Sequence, residues 1–171
     1  IITMKKILLS LLIGLSLQTF AQNESVITDA NAEKRTLNES FSAITVSDGV
    51  DLYLTKGDEE SIAVSASDEK YMERYKTEVS GGVLKIYYDN KGINWTGNEK
   101  RKLKAYVSFK ALQRLNASGG AHVTVKGILN VNKMDFTFTS GSRFTGEVNI
   151  NELDVATNSG AEIEINGKAE K

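Results

Sequence analysis

Two consecutive segments of this chain have nearly the same pattern of residues. Residues 127–141 and 146–160 align at an offset of 19 positions, so that Leu129 falls on Val148. A third, partial copy of the glycine-centred half lies upstream, at 115–127. A repeat this short cannot bury its own apolar face, so its copies must stack on one another. The repeat therefore constrains the fold more than any other feature of the chain.

The content of each copy is typical of stacked β-strands. Every copy holds strand, corner, strand, glycine turn and strand, and the turns align on Gly120, Gly141 and Gly160. Stacked strands of this kind lie ~4.8 Å apart. We therefore predict an all-β right-handed parallel β-helix (β-solenoid) with coils of about 19–21 residues. The predicted inward residues are Leu129, Val131, Met134, Phe136, Val148, Ile150, Leu153 and Val155.

The middle copy departs from this register. Segment 141–146 is two residues shorter than segments 120–127 and 160–167. The inward position that Val125 fills in the first copy therefore has no counterpart in the second. We expect a bulge or a narrowed coil at Phe144, with the bulk of this residue filling the gap.

The N-terminal half of the domain is predicted to be a strand and hairpin section with one short helix. Alternating apolar residues bounded by Gly, Asp and Ser predict strands at 41–46, 50–55 and 62–64 and a hairpin at 77–88. The helix is predicted at 67–75, capped by its first Ser or Asp.

Residues 1–21 have the pattern of a signal peptide. A basic start at Met4 precedes an apolar run, and small residues precede a predicted cleavage between Ala21 and Gln22. The apolar run is too short to span a bilayer, which takes ~20 residues. We predict an extracytoplasmic protein (periplasmic, surface-exposed or secreted) with a flexible leader at 22–40 and one domain at 41–171, whose last coil is either capped by a polar tail or truncated.

The net charge limits the classes of partner, and the cysteine content limits how the fold can be held together. After cleavage, 19 basic and 22 acidic residues remain, a net charge of about −3, which argues against a nucleic-acid partner. The chain has no cysteine, so the core alone must hold the fold and no lipobox cysteine can be lipidated. No membrane span is expected once the signal peptide is removed.

Several polar residues are candidates for chemistry, each with a simpler alternative. The carboxylates of Asp48, Asp51, Glu59 and Glu60 could form a glycosidase pair, but turn and strand-surface roles are far more common. His122 is the only histidine, so a metal site or a catalytic triad is improbable and a solvated position is favoured.

Other candidates come from the repeat and from one charged stretch. Asp135 aligned with Asp154 could bridge a Ca²⁺ ion, but solvated carboxylates are favoured. A basic cluster (Lys91 and 100–104) near Trp95 could bind anionic glycans, or it is a charged loop. The remaining aligned residues are read as amide ladders (Asn130 with Asn149, Asn132 with Asn151), an exposed ion pair (Lys133 with Glu152) and turn formers (Ser140, Ser159).

The ordered series of motifs resembles a known family. Residues 46–57 (Val-Ser-Asp-Gly-Val-Asp-Leu-Tyr-Leu-Thr-Lys-Gly), then 83–86 (Val-Leu-Lys-Ile) with Val107 and Leu112, then repeated Ser-Gly-Ala/Ser corners are similar to the "putative auto-transporter adhesin, head GIN domain" family (DUF2807). The resemblance covers about Phe41 to the end. It implies a secreted, mostly β protein of Bacteroidetes-like bacteria with a β-helical body, and it implies no catalytic residues.

Taken together, these patterns favour an exported, non-enzymatic β-helix that serves as an adhesin or an envelope interaction module. No catalytic, cofactor-binding or metal-binding residue is assigned, and no cofactor is expected. The expected partner is an envelope or extracellular ligand, with glycans among the candidates. The open end of the stack predicts a cap, a partner or homo-oligomerisation. The alternatives are a polysaccharide-binding or polysaccharide-degrading protein and a periplasmic binding or envelope-stress module.

Overall fold

The computed structural model describes residues 29–93 and 100–169. This part of the chain is mostly β-structure, with one 3₁₀ helix, η1 (Glu69–Tyr71). The strands are β1 (Glu33–Arg35), β2 (Ala43–Val46), β3 (Asp51–Lys56), β4 (Ser61–Ser65), β5 (Tyr75–Ser80), β6 (Val83–Tyr88), β7 (Lys104–Phe109), β8 (Arg114–Ala117), β9 (His122–Phe138), β10 (Arg143–Thr157) and β11 (Glu162–Ala169).

These strands form one mixed sheet that bends into a nearly closed, barrel-like shape. Within the described residues its order is β1-β4-β7-β3-β9-β8-β2-β6-β5, with β10 paired to β9 and β11 to β10. The pairs β1–β4, β4–β7 and β5–β6 are antiparallel, whereas the repeat strands pair in parallel. The predicted right-handed parallel β-helix is therefore wrong. The repeat specifies pairing only among its own copies, while the N-terminal half adds strands of reversed direction to the same sheet.

The pairing between the repeats does follow the predicted offset. Strands β9 and β10 lie in parallel register with Leu129 opposite Val148 and Val131 opposite Ile150, 19 residues apart. The longest strands thus owe their register to the repeated sequence, because a one-residue slip would move every apolar side chain to the solvent face.

Four tight turns stack at one end of these strands and form what we call the turn column. The turns centre on Asp48-Gly49, Gly119-Gly120, Ser140-Gly141 and Ser159-Gly160, and both central residues of each have positive φ. The second residue of each of the first three turns donates its N–H to the carbonyl of the first central residue in the next turn, at 2.9–3.0 Å. The predicted role of Ser140 and Ser159 as turn formers is confirmed.

The buried apolar side chains of the strands form one hydrophobic core. Most predicted inward residues are buried, including Leu129 and Met134, whereas Val131 and Leu153 are partly buried. Val155 is 49% exposed, since in the described part of the chain β11 pairs only with residues 143–150 of β10. Three aromatic rings form the centre of the repeat region. The centroid of Phe144 lies 4.7 Å from that of Phe136 and 5.9 Å from that of Phe138.

The expected irregularity of the middle repeat is present. The register between β9 and β10 shifts between Thr145 and Glu147, and Phe144 next to it is fully buried. Gly146 lies at this shift, with the side chain of Val125 in the space where a Cβ would project. The predicted departure from register beside Phe144 is confirmed.

The N-terminal half matches its predicted strands and differs at the helix. The hairpin is present, with Gly81 and Gly82 in its turn at positive φ. The predicted nine-residue helix is replaced by the three-residue η1, capped by the Asp68 carboxylate, because Tyr75 already begins β5. The segment predicted as leader contains β1, which pairs with β4. Residues 1–21 lie outside the described residues, and no described helix is long and apolar enough to cross a membrane.

Candidate functional site

The outward side chains of β7, β3, β9, β10 and β11 form an ordered polar surface, which we call the outer face. In-register pairing places them in rows across the strands. The first row contains Lys104, Asp51, His122, Arg143 and Glu162, and the second contains Tyr106, Tyr53, Thr124, Thr145 and Glu164.

Groups of opposite charge lie next to each other at both ends of the first row, Lys104 beside Asp51 and Arg143 beside Glu162. His122 Nδ1 lies 3.4 Å from Asp51 Oδ1, and the Arg143 guanidinium contacts Glu162 Oε2 through Nε at 3.0 Å and through a terminal nitrogen at 2.9 Å. These side chains are about half exposed, so each pair contributes at most ~1 kcal/mol of stability. The row is better suited to presenting fixed charges than to stabilising the fold.

The second row begins with a pair of stacked tyrosines. The rings of Tyr53 and Tyr106 are nearly parallel, with centroids 5.2 Å apart and 14° between planes. Lys126 Nζ lies 5.0 Å from the centroid of the Tyr53 ring. Tyr106 and Lys126 both lie against the Tyr53 ring, so this ring offers little open face on which a sugar could stack.

Asp29 fixes one end of this stack. Its Oδ2 accepts hydrogen bonds from Ser65 Oγ at 2.7 Å and from Tyr106 Oη at 3.0 Å, and Lys104 Nζ lies 3.6 Å away. The hydrogen bond from Ser65 is the main cause that lowers the pKa of Asp29 below its ordinary value. Burial, followed by the Asp29 contact, raises the pKa of Tyr106 to about 12, so the phenol remains a donor at neutral pH.

The carboxylates considered for a glycosidase pair are held by different neighbours. Asp48, in the turn column, accepts hydrogen bonds from Ser47 Oγ at 2.5 Å and from Asn90 Nδ2 at 2.9 Å. Asp51 faces His122 on the outer face. Glu59 lies in the turn after β3, next to Glu60, and its backbone carbonyl accepts from a serine of β7. The structure does not join these carboxylates into one site.

The aligned polar residues of β9 and β10 pair with each other. Asn151 Nδ2 donates to Asn132 Oδ1 at 2.8 Å, which confirms that amide ladder. Lys133 contacts Glu152 and lies 4.0 Å from Asp154 Oδ2. This contact with Glu152 raises the pKa of Lys133. Within residues 29–93 and 100–169, no group of three or more His, Asp and Glu side chains is placed to hold a metal ion.

The predicted basic cluster, Lys91 and 100–104, lies within the described residues. Trp95 lies outside the described residues. Arg101 stacks over the Tyr88 ring at 4.1 Å and donates to Asn90 Oδ1 at 2.9 Å, which links it to Asp48. The guanidinium of Arg101 is therefore held by neighbouring side chains of the domain.

Sequence reasoning missed the two residues that organise the outer face. Tyr53 and Tyr106 come from strands more than fifty positions apart, and Asp29 comes from the segment predicted as leader. The alternation that predicts their strands also indicates that both tyrosines point outward, and this was the available signal.

The chain matches a family model and several solved structures. The model of the family described as "Putative auto-transporter adhesin, head GIN domain" matches residues 40–171. Putative adhesins from Bacteroides fragilis and Parabacteroides merdae share the fold, with TM-scores of 0.72 and 0.66 and sequence identities of 13% and 16%. A putative adhesin from Parabacteroides distasonis does so with a TM-score of 0.70 and 20% identity.

The aligned regions cover most of this chain and a smaller share of those proteins. They include 81%, 82% and 81% of this chain but only 62%, 59% and 57% of the respective solved chains. The comparison with curated proteins returns no match. The family model covers far more than half of the sequence, and the chain belongs to the head GIN domain family, DUF2807.

Proposed function

We propose that this domain is a non-enzymatic, extracytoplasmic interaction module that binds a protein partner through its outer face. Family membership supports an adhesin-like role. The observation that carries the choice of surface is the rigid array of Tyr53, Tyr106, His122 and Arg143 on paired strands. Tyr and Arg are enriched in protein interfaces, and a preorganised surface binds with a smaller entropy cost.

The electrostatics of the face favour a protein partner over a polyanion. In its first row, Lys104 and Arg143 each lie next to a carboxylate. A nucleic acid or a sulfated polysaccharide needs uninterrupted positive charge, whereas a protein surface can present complementary charges of both signs. Extracytoplasmic location is part of the same proposal, because it rests on the family and on the predicted signal peptide.

The test is binding by the full chain without its predicted signal peptide. The domain is coupled to beads and titrated against immobilised fibronectin, collagen and mucin, and in parallel against a glycan array. We expect saturable binding to a protein target, weakened at least about tenfold, ~1.4 kcal/mol, by Arg143→Glu combined with Tyr53→Ala. Lys110→Glu, in the exposed link between β7 and β8, is the matched control and should bind normally.

The same preparation tests the polysaccharide alternative. Incubation with a panel of polysaccharides should release no soluble product above a protein-free blank. Turnover that Asp51→Asn abolishes would contradict a non-enzymatic role. Glycan binding that the outer-face variants leave unchanged would contradict the assignment of this face.

A further inference from the structure

The rings of Tyr53 and Tyr106 on the outer face are in contact across neighbouring strands. Strands β3 and β7 pair in parallel with these two residues directly opposite each other, at the spacing of ~4.8 Å that adjacent strands have. The ring centroids lie 5.2 Å apart with 14° between the planes. A radical formed on either ring therefore has a second phenol within contact distance, and the register of the sheet keeps it there.

Tyr106 also has an acceptor for its phenolic proton. Asp29 Oδ2 accepts the hydrogen bond from Tyr106 Oη at 3.0 Å, a distance across which a proton can be transferred. The hydrogen bond from Ser65 is the main cause that lowers the pKa of Asp29, so the carboxylate is ionised and can accept a proton at neutral pH. A phenol that loses an electron becomes a strong acid. Tyr106 can therefore pass its proton to Asp29 as an oxidant removes the electron.

The other four tyrosines lack this combination of features, and all six lie within the described residues. Tyr71 and Tyr88 have ring centroids 6.3 Å apart with 66° between the planes, but they are only 7% and 5% exposed. Tyr75 is 2% exposed. Tyr87 is partly exposed and donates a hydrogen bond to Glu78, but among the described residues its ring is not paired with another tyrosine ring. A radical on Tyr87 must therefore couple with a second molecule.

We propose that Tyr53 and Tyr106 form a site of oxidative modification, at which a diffusible one-electron oxidant joins the two rings into a dityrosine cross-link. Each tyrosine gives one electron to the oxidant and loses one proton, that of Tyr106 to Asp29 and that of Tyr53 to solvent. The two phenoxyl radicals then form one carbon–carbon bond between ring carbons beside the hydroxyl groups. The hydrogens on those carbons move to the two oxygens, so the product is lighter by two hydrogen atoms.

The link joins β3 to β7 and closes the chain between them into a loop. A covalent link of this kind stabilises a fold mainly by restricting the unfolded chain. The reaction needs no binding partner, so it can be tested whether or not the outer face binds one.

The experiment uses the full chain without its predicted signal peptide, in dilute solution. The oxidant is ruthenium tris-bipyridine, activated by light, with persulfate as the final electron acceptor. We expect a monomeric product that has the blue fluorescence of dityrosine and a mass lower by two hydrogen atoms. Protease digestion followed by mass spectrometry should find the peptides that contain Tyr53 and Tyr106 joined. The urea midpoint of the cross-linked protein should be higher than that of the unmodified protein.

Matched variants separate this site from general oxidation of the protein. Tyr53→Phe and Tyr106→Phe each keep the ring and remove one phenol, and both should lose the cross-linked monomer. Tyr87→Phe is the control, which should keep the cross-linked monomer and lose cross-linked dimers. Asp29→Asn should form the cross-link at least about tenfold more slowly, and added carboxylate buffer should restore part of the rate by accepting the proton.

Chain unfolded in urea before oxidation should give much less cross-linked monomer, because the strands no longer hold the two rings together. Equal yields from folded and unfolded chain would overturn the proposal. A cross-linked monomer that persists in either of the first two phenylalanine variants or joins other tyrosines would overturn it as well, as would the absence of any cross-linked monomer. An unchanged rate in Asp29→Asn would overturn the role of Asp29 as the proton acceptor.

Discussion

Gly146 lies directly against Val125, and a Cβ built on this glycine would be 2.9 Å from the Cβ of Val125 and 3.3 Å from Cζ of Phe144. The backbone of Gly146 does not have positive φ, so glycine is required here by space and not by conformation. The shortened middle repeat is accommodated because this one residue has no side chain.

We expect Gly146→Ala to lower the free energy of unfolding by about 1–3 kcal/mol, because the added methyl group overpacks a filled site. Urea denaturation at neutral pH measures the change. In a protein that already carries Val125→Ala, Gly146→Ala should lower the free energy of unfolding by clearly less, because the smaller side chain leaves room for the added methyl group. Strict additivity of the two substitutions would contradict the steric explanation.

The geometry of the turn column predicts that two substitutions change the stability of the fold in opposite directions. Ser140 has φ of 54°, so Ser140→Gly should raise stability by up to about 1 kcal/mol by relieving a left-handed conformation. Gly119→Ala should lower it by more than about 1 kcal/mol, because φ is positive and the new Cβ would lie 3.2 Å from the Asp48 backbone nitrogen. Thermal and urea denaturation measure both. Ser61→Gly, in an ordinary strand, is the control and should be destabilising.

Asp29 predicts a dependence of stability on acid pH. Its pKa is lowered in the folded state, so its contribution is complete above the unfolded value near 3.8 and is lost as pH falls through the lowered folded value. We expect Asp29→Asn to cost about 1–2 kcal/mol at pH 7, and the difference from the unmodified protein should shrink below pH 3.8. Urea midpoints measured from pH 7 to about pH 2 test this. A difference that does not change with pH would contradict it.

The ion pair of Arg143 and Glu162 should contribute little to the stability of the fold. Both side chains are more than half exposed, so a double-mutant cycle with alanine at each position should give a coupling energy of about 0.2–1 kcal/mol. Raising the salt concentration should reduce the coupling toward zero. A coupling well above this range would show that the row stabilises the fold, and it would weaken its assignment as a presentation surface.

The pairing of the repeats was predictable because it depends on local pattern. The offset that aligns Leu129 with Val148 also sets the hydrophobic alternation, and only one register buries both residues. The bulge beside Phe144 follows from counting residues between glycines. These features need no knowledge of the rest of the chain.

The sheet as a whole was not predictable from the repeat. The antiparallel entry of β4 between β1 and β7 depends on which edge is free when the N-terminal strands pack, and no residue pattern specifies that choice. The outer face was missed for a related reason. Tyr53 and Tyr106 meet only because β3 pairs with β7, and Asp29 reaches them because β1 adds to β4.

The turn column limits how proteins of this design can change in length. Each turn is bonded to the next through backbone groups such as the Gly120 N–H and the Ser140 carbonyl. A single inserted residue would displace those groups and disturb the turns on both sides. A duplicated unit of 19 residues would bring its own turn and preserve the bonding pattern. Growth of such a chain during evolution is therefore expected to occur by duplication of whole units and not by gradual lengthening of these turns.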